Sequence, residues 1–216
     1  MHPFATQERV TDNQLYILST LIPMIVISIL SLYLAPTNFD KLHLLQVSNL
    51  GLLFGVSAVS VLTDILKCWI GNPRPDFIDR CGPKEGTPLN VLFSISDQIC
   101  TSPYGAKYLS DGMKSTPSGH SSMAFAGLVY LSLWLIGQFK LINRQNELDN
   151  KLVFLIIVCL PILLASYIGL SRTQDYRHHF FDVCFGSGLG IVFAVVSYFK
   201  YFRTLSDSKC NEPIDY

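Results

Sequence analysis

Five stretches of this chain carry no charged side chain at all. Leu15–Ala35, Leu44–Thr63, Ser121–Phe139, Leu152–Ser171 and Val183–Phe199 contain no Asp, Glu, Lys or Arg. A helix crossing hydrocarbon needs about 20 apolar residues, with roughly 17 as the lower limit. Within hydrocarbon every backbone N–H and C=O must be satisfied inside its own segment, so the chain reads as an all-α integral membrane bundle of five spans. Half of its 216 residues are hydrophobic and the formal net charge is zero, so nothing points to nucleic acid. Residues 1–14 are polar, with Arg9 the only Lys or Arg among them, and no small-residue cleavage site follows the first block, so no signal peptide is read there. The six cysteines form no C-x-x-C pair, and no zinc site is expected.

The five spans belong to a single membrane-embedded domain over residues 1–216. The turn at Pro36–Lys41 joins the first two as an antiparallel hairpin. A long polar segment, about residues 67–116, precedes the third span, and its stretch from about 76 to 115 exceeds the usual limit for a structureless connection, so it is expected to cover a site or admit a ligand. The turn Gly137–Lys151 joins spans three and four, and Arg172–Asp182 separates four from five. The polar tail 203–216 reads as frayed. Cys81 and Cys100 share the long loop: they pair if it faces an oxidising compartment, and otherwise are two free thiols.

Up-and-down topology puts Lys67–Pro75, Pro117–His120 and Ser171–Asp182 on one membrane face. Charges at span ends are ordinary; two histidines, three cations and a carboxylate converging from separate segments are not. In KCWIGNPRP, Gly71, Pro73 and Pro75 stop the second span, and Lys67 and Arg74 flank the break; alone, both read as cations snorkelling to the interface. In TPSGHSS, Ser118 or a neighbour caps the third span, Gly119 allows close approach, and the N–H groups of a helix start suit a phosphate oxygen, with His120 in reach. In SRTQDYRHHFFD, His178 and Asp182 stand four apart, so on a helix they touch, and the spacing selects His178 over His179. A carboxylate on one ring nitrogen leaves the other free to attack. Arg172 offers a planar fork for phosphate; Asp175 is a weaker competitor to Asp182 that reads as a turn cap, and Arg177 reads as a surface charge.

Together these residues fit phosphoryl transfer, which needs cations on the equatorial oxygens, an in-line nucleophile and an acid for the leaving oxygen. Lys67, Arg74, Arg172 and the Ser118 and Gly119 N–H groups would take the first role, His178 the second and His120 the third. The chemistry needs no carboxylate cluster to hold Mg²⁺, and the sequence displays none.

The motifs K-x₆-R-P at Lys67–Pro75, P-S-G-H at Pro117–His120 and S-R-x₅-H-x₃-D at Ser171–Asp182 resemble the three signatures of type 2 phosphatidic acid phosphatases, the lipid phosphate phosphatase superfamily. HPFATQERV at His2–Val10, RPDFIDRC at Arg74–Cys81, TPSGHSS and SRTQDYRHHF extend the resemblance to its fungal diacylglycerol pyrophosphate phosphatase branch. The resemblance implies that Lys67, Arg74, Ser118, Gly119 and Arg172 bind phosphate, that His120 is the acid, His178 the nucleophile and Asp182 its orienting carboxylate, and that no metal or other cofactor is needed. The implied substrates are phospholipids in the bilayer: diacylglycerol pyrophosphate, phosphatidate and lysophosphatidate. Members of this type usually carry six spans with the HPFAT-like segment after the first, so the resemblance implies a missing first helix, by truncation or by loss.

Lys41, Lys140, Arg144, Lys151, Lys200, Arg203 and Lys209 on the opposite face lean towards a cytoplasmic C-terminus and a lumenal or external site; the resemblance implies the same orientation, and an endomembrane such as the vacuole or Golgi is expected. Two other readings share the sequence: a polyprenyl pyrophosphate or sphingoid phosphate phosphatase with the same site, and an anion or lipid transporter whose cations hold a ligand without turnover.

Overall fold

The structure, a computed structural model, describes residues 2–88, 99–142 and 148–214. Residues 89–98 of the long loop, Arg144 and the last two residues of the tail lie outside the described residues, as does the side chain of Lys151. Five helices are long and apolar enough to cross a membrane: Asp12–Leu34, Asn38–Ile70, Gly119–Gln138, Leu155–Gln174 and Phe180–Tyr201. They coincide with the five uncharged blocks, and the described residues contain no strand beyond two isolated bridges.

The first span begins at a capping box, with the Thr11 side chain on the Gln14 N–H and the Gln14 side chain on the Thr11 N–H. It runs as α1 (Asp12–Tyr16), a π turn (Ile17–Leu21) and α2 (Ile22–Leu34). Pro23 cannot donate to the Ser19 carbonyl, and the helix widens just before it. Helix α3 (Asn38–Ile70) starts at the Thr37 cap and stops at Gly71, whose φ of 64° is left-handed and suits glycine. The described part of the long loop carries α4 (Phe77–Cys81) and α5 (Ala106–Asp111), and Cys81 at the end of α4 is joined by a disulfide to Cys100, so the pairing left open by the sequence is made. Helices α6 (Gly119–Gln138), α7 (Leu148–Gln174) and α8 (Phe180–Tyr201) complete the bundle.

Helix α6 is the axis of the bundle. Its membrane window is 72% buried, against 28–33% for the other four spans, although it is the least hydrophobic of the five. Lipid is as apolar as leucine, so burial in a membrane follows close packing and interhelical hydrogen bonds instead of hydrophobicity. Tyr130 Oη donates to the Ser48 carbonyl at 2.9 Å, Trp134 Nε1 to Ser48 Oγ at 2.8 Å and Ser132 Oγ to the Val158 carbonyl at 2.8 Å. Gly186 and Gly190 bring α8 against the Ser118 and Ser122 carbonyls, and a Cβ at either position would overlap that oxygen. Gly190→Val should therefore destabilise the bundle by about 1–3 kcal/mol or more, read as a lower melting temperature in detergent. Gly190 lies about three turns along α8 from His178 and His179, so the variant reads chiefly the packing of α8 on α6.

Through its described residues, 203–214, the tail is packed down and not frayed. Gln138 Nε2 donates to the Asn211 carbonyl at 3.0 Å, Ile214 N–H returns to the Tyr201 carbonyl at 2.9 Å and Cys210 is fully buried. Its polarity misleads because the tail docks through the main-chain atoms of Asn211 and Ile214 and through the buried Cys210 side chain.

Candidate active site

The rim between the ends of α3 and α7 and the starts of α6 and α8 gathers the three motifs. Asn72 ties the first to the second: its carbonyl accepts the Ser115 N–H and its side chain donates to Thr116 Oγ1, both at 2.9 Å. Arg74 Nη1 donates to the Arg177 carbonyl at 3.3 Å, tying the first to the third. Ser118 N–H donates to the Asp182 carbonyl at 3.0 Å, tying the second to the third.

His178 is 3% exposed and lies in the turn before α8. Its backbone N–H and that of Arg177 both donate to the Arg172 carbonyl, at 3.3 and 3.0 Å. Its Nδ1 is 2.7 Å from the Ser115 carbonyl, which can only accept, so Nδ1 carries the proton and the lone pair of the neutral ring sits on Nε2. Burial, then the charges of Arg74, Lys67 and Arg172, push its pKa well below the ordinary value of 6.5, which keeps the ring neutral at physiological pH.

The direct His178–Asp182 hydrogen bond expected from helical spacing is not made, and the ring nearer to Asp182 is that of His179, not His178, with His179 Nδ1 3.3 Å from Asp182 Oδ2. Helix α8 starts only at Phe180, so His178 precedes it, and Nδ1 lies 4.0 Å from Asp182 Oδ2. Asp182 instead accepts from the His179 N–H at 2.8 Å, capping α8, and from Ser115 Oγ at 2.6 Å and Thr116 Oγ1. It reaches His178 through Ser115, whose hydroxyl it holds and whose carbonyl holds the ring. Ser115 and Thr116 carried no signal in the sequence beyond their place just before P-S-G-H.

Ser118 caps α6, as its residue type suggests, and is fully buried. Its N–H is committed to Asp182, so the expectation that it faces phosphate is corrected. Gly119 and His120 stand in the first turn of α6, where N–H groups have no helical acceptor. A Cβ on Gly119 would come 2.8 Å from Lys67 Nζ, so glycine is what lets the ammonium lie over the helix start. His120 is 7% exposed, and its Nε2 lies 3.1 Å from the Val10 carbonyl. Arg172, 2% exposed, donates from Nη1 to Glu8 Oε2 and to the Val10 carbonyl, both at 3.1 Å, while its Nε is buried without a partner. Such a donor costs free energy unless a ligand satisfies it.

Arg177 is not a surface charge: it is 5% exposed and its Nη2 sits 2.8 Å from Glu8 Oε1. Asp175, read as a turn cap, is buried and accepts the Arg9 N–H at 2.9 Å. Arg74 Nε and Nη2 clasp the Asp111 carbonyl and carboxylate at 2.9 and 2.8 Å. Burial alone would raise the Asp111 pKa, but Arg74 and Arg80 overcome it and hold the carboxylate below its usual range. Glu8, Asp12 and His120 bring one metal-ligating atom each within 4.8 Å of one another, but Asp12 is exposed and His120 is already engaged by Val10.

Such an arrangement can hold an anion against fixed cations while presenting an unprotonated imidazole nitrogen at the membrane rim. The chain belongs to the PAP2 superfamily, whose profile matches residues 48–205. It is 44% identical over 216 residues to diacylglycerol pyrophosphate phosphatase 1 of Saccharomyces cerevisiae, covering 99% of this chain and 71% of that protein. It is 38% identical over 208 residues to probable diacylglycerol pyrophosphate phosphatase 1 of Schizosaccharomyces pombe, covering 94% and 69%. Lipid phosphate phosphatase 2 of Arabidopsis thaliana is 34% identical over 210 residues, covering 93% and 69%. No solved structure matches the chain.

Proposed function

We propose that the chain is a lipid phosphatase that acts on diacylglycerol pyrophosphate, phosphatidate and lysophosphatidate through a phosphohistidine on His178, without a metal. The observation that carries this reading is the His178 Nδ1 proton held by the Ser115 carbonyl, which leaves Nε2 as the nucleophile beside Arg74, Lys67 and Arg172. The Nε2 lone pair attacks phosphorus while Lys67, Arg74 and Arg172 take the equatorial oxygens. The phosphorus–oxygen bond to the leaving group breaks, its electron pair stays on that oxygen, and His120, entering as the imidazolium, supplies the proton and becomes neutral. Water then attacks the phosphohistidine and gives its proton back to His120; the P–N bond breaks, its pair returns to Nε2, and phosphate leaves. The relatives' names support the lipid substrates. The Cys81–Cys100 disulfide, in the loop that carries Asp111 beside Arg74, supports a site facing an oxidising lumen or the exterior.

Hydrolysis of phosphatidate in detergent micelles tests this. Activity should survive EDTA, because protein cations do the work of a metal, and orthovanadate should inhibit by adopting the five-coordinate geometry at His178. Loss of activity to the chelator, or indifference to vanadate, would refute the proposed chemistry.

A further inference from the structure

The segment before the first span, residues 4–11, lies outside the stretch matched by the family profile, yet it reaches into the site. It is anchored along its length. The Phe4 ring sits between the Arg80 and Arg177 guanidiniums at 4.7 and 4.5 Å, and the Phe4 N–H donates to Asp79 Oδ2 at 2.7 Å. Glu8 spans Arg172 and Arg177, at 3.1 and 2.8 Å, and the Arg9 N–H donates to Asp175. The Val10 side chain is buried in the core, and its carbonyl oxygen lies 3.1 Å from both His120 Nε2 and Arg172 Nη1.

Two opposed roles fit an oxygen in that place. It could imitate a phosphate oxygen and block the site, or it could orient the groups that act on phosphate. The atoms it leaves untouched decide between them. A carbonyl has two lone pairs and only accepts, so His120 Nε2 must donate to it, which leaves Nδ1 as the nitrogen that takes up a proton, forming the imidazolium, and hands it to a leaving group. Arg172 spends Nη1 on Val10 and Glu8 and keeps Nε buried and unpartnered. The strap thus takes one donor from each residue and spares another. His178 is treated alike, with Nδ1 on a main-chain carbonyl and Nε2 spared.

We propose that this strap is a working part of the site: Glu8 is a positioning residue that, through Arg172 and Arg177, holds the Val10 carbonyl against His120 so that the ring presents Nδ1 to the leaving oxygen. The proposal rests on the phosphatase reading above and adds a prediction that reading does not make. Misplacing the acid hurts a substrate in proportion to its leaving group's need for a proton. A glycerol alcohol needs it; a nitrophenolate does not.

The test compares phosphatidate with a lipid-tailed nitrophenyl phosphate, in micelles, for wild type, Glu8→Ala, Glu8→Asp and Val10→Gly. Positioned general acids contribute about 10²–10⁴-fold, so Glu8→Ala should lower kcat on phosphatidate by about 10-fold or more while its kcat on the aryl ester stays within about 3-fold. Glu8→Asp should recover much of the loss, and Val10→Gly, which frees the carbonyl without touching a charge, should show the same bias and serves if Glu8→Ala does not fold. Equal losses on both substrates would mean a purely structural strap, and a gain in activity would mean a plug; either overturns the proposal. Wild-type protein that hydrolyses neither ester would instead sink the phosphatase reading itself.

Discussion

His178→Ala should abolish turnover while leaving lipid phosphate binding in place. The imidazole is the one group assigned to form a bond to phosphorus, and removing a nucleophile of this kind costs about four orders of magnitude or more in kcat, roughly 5.4 kcal/mol of barrier. Its loss leaves the cations untouched, since Arg74 is held by Asp111 and Arg172 by Glu8 and Val10. The neighbouring residue supplies the control. The His179 side chain is 51% exposed and its Nδ1 lies 3.3 Å from Asp182, so His179→Ala should keep most of its activity. Stopped on the millisecond scale, wild type should yield an acid-labile phosphoenzyme that His178→Ala lacks. A membrane transporter with a cationic anion site would give the opposite pattern: no turnover in wild type and no difference between the two alanine variants. Full activity in His178→Ala would end the phosphohistidine mechanism.

The spans were legible because bilayer thickness imposes a length that few soluble helices share, and the absence of charge over that length needs no tertiary information. The gathering of Lys67, Arg74, Gly119, His120, Arg172 and His178 at one rim followed from counting crossings. What spacing could not supply was the start of α8. With the helix beginning at Phe180, the i,i+4 rule does not reach His178, and Asp182 turns to the cap and to Ser115. Arg177 looked exposed because its partners, Glu8 and the Ala5 carbonyl, lie more than 160 residues away in sequence. Ser118 was read rightly as a cap, but its N–H is spent on the Asp182 carbonyl, a contact between two helix starts that no local pattern encodes.

The second large effect is expected outside the histidines, at Arg80. This guanidinium is fully buried and grips Asp76 through two parallel bonds of 2.9 Å, from Nε and Nη2; its Nη1 reaches the Tyr108 carbonyl at 3.1 Å and Asp111 Oδ2 at 2.9 Å. Asp111 thereby divides its carboxylate between Arg80 and Arg74. Arg80→Met leaves the fully buried Asp76 without its ion-pair partner, and stranding one member of a buried pair costs about 3–5 kcal/mol. Melting in detergent should show that loss, and phosphatidate turnover should fall with it because Asp111, the counter-ion of Arg74, loses the second partner that fixes it. Arg80→Lys should rescue little, since a point charge cannot reproduce the fork. The double variant Asp76→Asn with Arg80→Met separates the two consequences. Removing both charges relieves the stranded carboxylate, so melting should recover towards wild type, whereas Asp111 still lacks its second partner and turnover should stay low. A double variant that melts normally and turns over at the wild-type rate would show that Arg74 needs no such bracing, and that the buried charges around α4 serve the loop alone.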